Sequence, residues 1–262
     1  MKNLSEILKC YPCRNLDQNN AQSAVLQAAI FKSKKPLRNF YARAYREMIR
    51  LRERYAPGVQ GLEIEIGGGG GFFKEIRPQA LTTDIKPVPG LDRVLDAREF
   101  PDKSQSVAAI YAFHCLHHIP EIRKFFAEAV RVLKPGGAIV AIEPYWSPLA
   151  KFLFTHCHEE PFDDKAVAWE FPSTGPMSGA NQALSYLVLK RDHAQFKTEF
   201  PKLELSYRRS FGFLEYIATG GIWRPQLAPD FLFGLLHWMD DVLLAPLMPA
   251  LAIHHIFVLN KK

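Results

Sequence analysis

Five consecutive glycines, Gly67 to Gly71, follow the short run Leu62-Glu63-Ile64-Glu65-Ile66 with nothing between them. No other feature restricts the fold as sharply. Five glycines cost conformational entropy that an ordinary turn does not require, and glycine lets the backbone take positive φ and lets a ligand approach the main chain. The segment Phe72-Phe73-Lys74-Glu75-Ile76 follows as a predicted helix, and the free N–H groups at a helix start attract an anionic group. Strand, glycine turn and helix in that order predict an α/β sheet with a ligand beyond the strand's carboxyl end.

The rest of the chain agrees with that opening. Ala80 to Ile85 is a predicted second strand, and Arg93-Val94-Leu95 a short third. Val107 to Phe113 is continuously apolar, as a strand buried on both faces should be. Glu121 to Leu133 has helical apolar spacing, and the turn Lys134-Pro135-Gly136-Gly137 feeds a strand over Ala138 to Ile142. Strands alternating with helices at this spacing predict βαβ units and a parallel sheet. The alternation stops after Glu143-Pro144. Further strands are predicted over Leu203 to Arg208 and Ile253 to Leu259, with a helix over Asp230 to Leu244. Upstream, residues 1–36 predict a short helix and a loop, and Arg38 to Tyr55 a helix that Ala56-Pro57-Gly58 ends.

A dinucleotide site would place glycines at i, i+2 and i+5. That register fails, because its third position falls on Phe72 or Phe73. The pattern present is Glu65-x-Gly67-x-Gly69-x-Gly71, with Asp84 closing the second strand 19 residues after Glu65. It resembles motif I of the class I S-adenosylmethionine-dependent methyltransferases. Phe100-Pro101-Asp102-Lys103-Ser104-Gln105-Ser106-Val107, Leu116-His117-His118-Ile119-Pro120 and Arg131-Val132-Leu133-Lys134-Pro135-Gly136-Gly137 are similar to stretches of the type 11 methyltransferase domain. The resemblance covers about residues 60 to 145. Two positions depart from it: Phe113-His114 replaces the usual small polar residue after the fourth strand, and Gln105-Ser106 replaces a Phe-Asp pair before it.

The resemblance implies a Rossmann-like three-layer α/β sandwich. It would have a mostly parallel seven-stranded sheet, an N-terminal helical lid carrying Tyr41 and Tyr45, and an insertion after strand five. The expected division is 1–55 for the lid, 56–145 for the S-adenosylmethionine-binding core, 146–200 for an acceptor-side insertion and 201–262 for completion of the sheet. The implied cofactor is S-adenosylmethionine, held by Glu65, Gly67, Gly68, Gly69, Gly71, Asp84, Ile85, Asp96, Ala97, Phe113 and His114. Asp84 would take the ribose hydroxyls, and Asp96-Ala97 the adenine. Asp96 fits a helix cap as well.

Methyl transfer from a sulfonium demands alignment and exclusion of water, and a hydroxyl acceptor also needs a base, most often His. Strand ends facing the crevice nominate His114, His117 and Glu143 as catalytic residues. A role for His117 or His118 confined to starting a helix remains open, as does a surface-loop role for His156, His158, Glu159 and Glu160. No metal is expected. The aromatics Tyr145, Trp146, Phe162, Trp169 and Phe171 suit either an acceptor wall or a small core of their own.

Composition narrows the setting. The four cysteines are too few and scattered for a disulfide framework, and Cys10 and Cys13 are expected to be free thiols rather than half of a metal site. With no leader visible, the expected location is cytoplasmic, membrane association remaining open. Val242 to Asn260 lacks Lys, Arg, Asp and Glu, but Pro246 and Pro249 interrupt it; a buried helix and strand is expected, with peripheral membrane contact the alternative. The net charge of +6 is local. Lys32 to Arg54 holds nine basic residues against Glu47 and Glu53, a solvated helix face or an attraction to an anionic partner.

The expected function is therefore transfer of a methyl group, to oxygen by preference, on a small-molecule, glycan or lipid-linked acceptor, by a monomer or homodimer. The basic helix keeps an RNA acceptor as an alternative, disfavoured by the lack of an Asn/Asp-Pro-Pro-Tyr segment after the fourth strand. A non-catalytic binding module is the other alternative.

Overall fold

The computed structural model describes residues 19–175 and 178–262, so Cys10 and Cys13 lie outside the described residues. Helix α1 (Ala21–Ser33) begins where the Asn20 side chain accepts from the Gln22 N–H, the usual use of Asn before a helix. Helix α2 (Lys35–Tyr55) starts three residues before the predicted point, with Pro36 in its first turn, a position where no N–H is missed. Its apolar stripe Leu37, Phe40, Ala44, Met48 and Leu51 is buried.

The alternation follows: β1 (Leu62–Ile66), a one-turn α3 (Phe73–Ile76), β2 (Leu81–Asp84), β3 (Arg93–Val94), β4 (Val107–Phe113), α4 (Ile122–Val132) and β5 (Leu133–Pro144). Beyond it lie α5 (Pro148–Cys157), α6 (Leu184–Tyr186), α7 (His193–Glu199), β6 (Leu203–Phe211), α8 (Leu214–Thr219), α9 (Phe233–Trp238) and β7 (His254–Lys261). Among the described residues these strands form one seven-stranded sheet in the order β3-β2-β1-β4-β5-β7-β6. Only β7 runs antiparallel to its neighbours. Every residue of β4 is buried, as its unbroken apolar run demands. The predicted turn at Lys134–Gly137 instead lies within β5. Leu133 pairs with Val107 and Ala138 with Ala109, so the four residues between bulge from a continuous ladder.

Two apolar layers sandwich the sheet. Phe40, Tyr45 and Met48 of α2 pack on one face with Tyr111, Val140 and Val258. On the other, Phe125, Phe126 and Ala129 of α4 pack with Ile110, Ile139 and Phe257. Much of the segment between β5 and β6 joins that second layer through Trp169, Leu187 and Phe196, while Ala150, Phe154 and Phe162 form a small separate cluster with Ile253. Trp169 is 1% exposed, its indole N–H donates to Asp192 at 2.8 Å, and the Arg123 guanidinium lies 4.1 Å over the ring.

One expectation needs correction. The stretch Val242–Asn260 is only half buried. Its strand half is β7, between β5 and β6, but Val242, Leu243 and Leu247 are more than half exposed. Phe231, just before α9, and Leu235 and Trp238 within it are exposed apolar residues too. Among the described residues no single helix is long and apolar enough to cross a membrane. Four of the nine basic residues of the 32–54 run are paired inside the chain: Arg38 with Glu75, Arg43 with Glu215, Arg50 with Glu47 and Arg52 with Glu63. The exposed pairs among them contribute little stability, and together they offset part of the run's positive charge.

Replacing Trp169 by Ala removes a filled volume, a buried hydrogen bond and the cation contact together. We expect Trp169→Ala to cost about 3–5 kcal/mol, measured by urea unfolding followed by circular dichroism. A loss below about 1 kcal/mol, the range of surface changes, would mean that 146–200 is not anchored through this residue.

Candidate active site

The carboxyl ends of β1, β2 and β4 face one cavity of about 630 Å³. Helix α1 and the 171–175 segment close it from two sides through Ala28, Phe31, Phe171 and Ser173. Its size lies within the range of small-molecule and cofactor sites.

The glycine run forms the wall after β1. Gly67 has φ +66°, and a Cβ there would stand 2.6 Å from the Cys115 sulfur. The Gly69 N–H donates to Asp84 Oδ2 at 3.1 Å, and the Lys86 N–H to Asp84 Oδ1 at 2.9 Å. The carboxylate thereby ties the end of β2 to the loop while lining the cavity. A Cβ on Gly70 would stand 2.6 Å from the Ala28 Cβ, so α1 rests directly on the loop. Gly70 lines the cavity and Gly71 does not, which corrects the predicted set. Gly71 turns toward Gly90 instead. Helix α3 is a single turn, so its dipole adds little at the loop.

Gly67, Gly68, Gly69, Asp84, Ile85, Asp96, Ala97, Phe113 and His114 all line the cavity. Glu65 does not. It is buried beneath Gly68, whose Cβ would meet Glu65 Oε2 at 2.6 Å. The Tyr45 hydroxyl donates to Glu65 Oε1 at 2.8 Å, and Oε2 has no partner. Burial, opposed by the Tyr45 hydrogen bond and aided by Asp84, pushes the Glu65 carboxyl up to about 8. Asp96 is engaged by its own turn: its carboxylate accepts from the Arg98 N–H at 2.9 Å and pairs with the Arg98 side chain. No helix follows Asp96, so the helix-cap reading fails; its carboxylate serves a turn and also lines the cavity.

His114 sits at φ +52° at the end of β4, a conformation that costs free energy for a residue with a Cβ and concentrates at functional sites. Its N–H donates to Ile142 O at 2.8 Å, while its buried Nε2 has no partner. Burial, with His254 and His117 nearby, pushes its pKa well below the usual imidazole range. The ring is neutral at pH 7.

His117 and Glu143 are not placed as acceptor-facing bases. Neither lines the cavity, and both are fully buried against each other. Glu143 Oε1 accepts from the Cys115 and Leu116 N–H groups at 2.9 and 2.8 Å, and Oε2 lies 2.6 Å from His117 Nδ1. Burial would lower His117, but Glu143 and Glu160 outweigh it and hold the pKa at about 9. An imidazole already protonated cannot accept a proton. His118, in the same turn (Leu116–His118), does line the cavity. The sequence reading missed His254, whose ring centroid is 4.8 Å from that of His114. It also missed Ile222 on the cavity wall; no local pattern marks either.

Residues 65–141 match the family model described as a methyltransferase domain. The matched stretch is the one that carries the resemblance to the class I S-adenosylmethionine-dependent methyltransferases. The phthiotriol/phenolphthiotriol dimycocerosates methyltransferase of Mycobacterium tuberculosis is 34% identical over 96 residues, 30% of this chain and 36% of that protein. Its Mycobacterium leprae counterpart is 36% identical over 99 residues, with the same shares covered. The chain thus spans about a third of the length of these curated relatives. A solved geranyl diphosphate C-methyltransferase from Streptomyces coelicolor superposes at TM-score 0.48 and 11% identity, over 97% of this chain and 89% of that one.

The domain's cofactor fits the residues present. Two carboxylates, Asp84 and Asp96, lie on the cavity wall where hydroxyl and amine donors need acceptors, and the loop backbone leaves no side chain in the way.

Glu65 supplies a pH test. Between about 4.5 and about 8 the folded chain retains a proton that the unfolded chain releases, so the stability contributed by this group is full at acid pH and is lost as pH rises through 8. Glu65→Gln, which mimics the protonated form, should match the wild type near pH 5 and be the more stable protein near pH 9. Guanidinium unfolding at both pH values checks this; an unchanged difference between the two proteins would refute it.

Proposed function

We propose that this chain transfers a methyl group from S-adenosylmethionine to a hydroxyl oxygen of a small-molecule or lipid-linked acceptor. One observation carries the reading: a single cavity has the glycine loop and Asp84 at one part of its wall and His114 at another. The relatives' names support a lipid-linked acceptor, since they are methyltransferases of phthiotriol and phenolphthiotriol dimycocerosates. Phe31, Phe72, Phe113 and Phe171 line the cavity and suit an apolar body, while Lys32 on the same wall suits an anionic substituent.

The chain's own residues divide the work. Asp84 accepts from the ribose hydroxyls, and the Asp96-Ala97 turn meets the adenine. The bound cofactor supplies an activated methyl group on a sulfonium. Tyr41 stacks on Phe113 with ring centroids 4.4 Å apart, closing the cavity against water beneath α2. As the acceptor oxygen takes the methyl group from the sulfonium it loses its proton, which passes to the His114 imidazole. A neutral ring held at a fixed angle by a strained backbone is suited to that role.

Isothermal titration should show S-adenosylhomocysteine binding to the wild type, weakened at least about tenfold, one bidentate charge-assisted contact's worth, in Asp84→Ala. His114→Gln should keep that affinity and lower kcat by about 10²–10⁴, read with a lipid-extract acceptor and labelled cofactor. No binding by the folded wild type would remove the proposed function; binding with unimpaired turnover in His114→Gln would remove only the base.

A further inference from the structure

His117, His118 and Glu160 bring three ligand atoms within 4.8 Å of one another beside the cavity. The contacts between them are not hydrogen bonds. His117 Nε2 lies 3.5 Å from Glu160 Oε2, and His118 Nε2 lies 3.6 Å from Glu160 Oε1, beyond the usual N–H···O range. Two ligands of one tetrahedral ion with bonds of ~2.0–2.1 Å stand about 3.3 Å apart. The spacing suits atoms that share an ion better than atoms that share a proton.

The surroundings point the same way. Glu143, already bonded to two backbone N–H groups, lies 2.6 Å from His117 Nδ1. Without an ion the protonated ring faces Glu160 through Nε2 at 3.5 Å, too far for a good hydrogen bond. A metal ion would displace that Nε2 proton and bridge the gap, while the proton on Nδ1 stays with Glu143. A carboxylate on the far nitrogen of a ligating His is the common orienting contact in metal sites. The Gln182 side chain, 2% exposed, donates its amide to Glu160, and its Oε1 is buried without a partner. Two carboxylates and two neutral imidazoles would balance a doubly charged ion.

We propose that His117 Nε2, His118 Nε2 and a Glu160 oxygen bind a divalent transition-metal ion, with Glu143 as the positioning residue for His117. Two nitrogens and one carboxylate favour zinc, iron(II) or manganese over calcium. Three protein ligands leave a coordination position for water or an acceptor oxygen, the arrangement of reactive rather than purely structural sites. Because His118 also lines the cavity, that position is open to whatever the cavity holds. The site stands whether or not methyl transfer is the reaction.

The test uses the untagged full chain, stripped with chelator and titrated with Co²⁺ and with Zn²⁺. The expected result is one ion per chain, d–d absorption of bound Co²⁺ in the visible, and a higher melting temperature with Zn²⁺. Glu160→Gln and His118→Gln should each weaken binding at least about tenfold, and Glu143→Gln by about 10–100-fold. Melting curves without metal establish that each variant is folded, and any that is not is replaced by Glu160→Ala or His118→Asn. Substoichiometric binding to the wild type, or equal affinity in the Glu160→Gln/His118→Gln double variant, would overturn the site. S-adenosylhomocysteine titration of the wild type is read separately, so failure of the cofactor site and failure of the metal site are distinct results.

Discussion

The cavity wall depends on one buried carboxylate. Glu143, at the end of β5, takes the backbone N–H groups of Cys115 and Leu116 and lies against the His117 ring. Burial alone would raise its pKa, but His117 and those donors hold it ionised. A buried charge is tolerable only when its lone pairs are satisfied, and here they fix the whole turn after β4. That turn sets Cys115 against Gly67, which admits no side chain at that point. It also carries His114 and His118 to the cavity. Substrate-facing geometry is thus built from a residue that never touches the cavity.

Below the loop the logic is similar. Glu65 sits under Gly68 with Tyr45 of α2 as its partner, so the lid-side helix and the glycine wall share one hydrogen bond. Asp84 bonds both to that wall and to its own turn. Asp84 and Asp96 on the cavity wall therefore fix backbone first and are available to a ligand second. Such supporting shells let short loops hold a site with the accuracy that chemistry needs.

Sheet strands were legible because a two-face burial leaves an unmistakable apolar run, as in Val107–Phe113 and Ile253–Leu259. The glycine wall and Asp84 were legible because a backbone that must approach a ligand excludes side chains in a fixed register. The role of Glu143 was not. Its partners lie 26 to 28 residues away, and a strand-end carboxylate looks the same in sequence whether it faces a ligand or a neighbouring turn. The Gly70-for-Gly71 exchange, the bulge inside β5 and the merging of Trp169 with the main core depend on tertiary contacts that no local periodicity encodes. The internal partners of the basic run, Glu63, Glu75 and Glu215, were illegible for the same reason, since they are distant in the chain.

Helix α1 presses Ala28 onto Gly70 without room for one more carbon. The helix is therefore part of the wall that any occupant of the cavity meets. Lifting α1 would widen the way in, a motion of the microsecond-to-millisecond class.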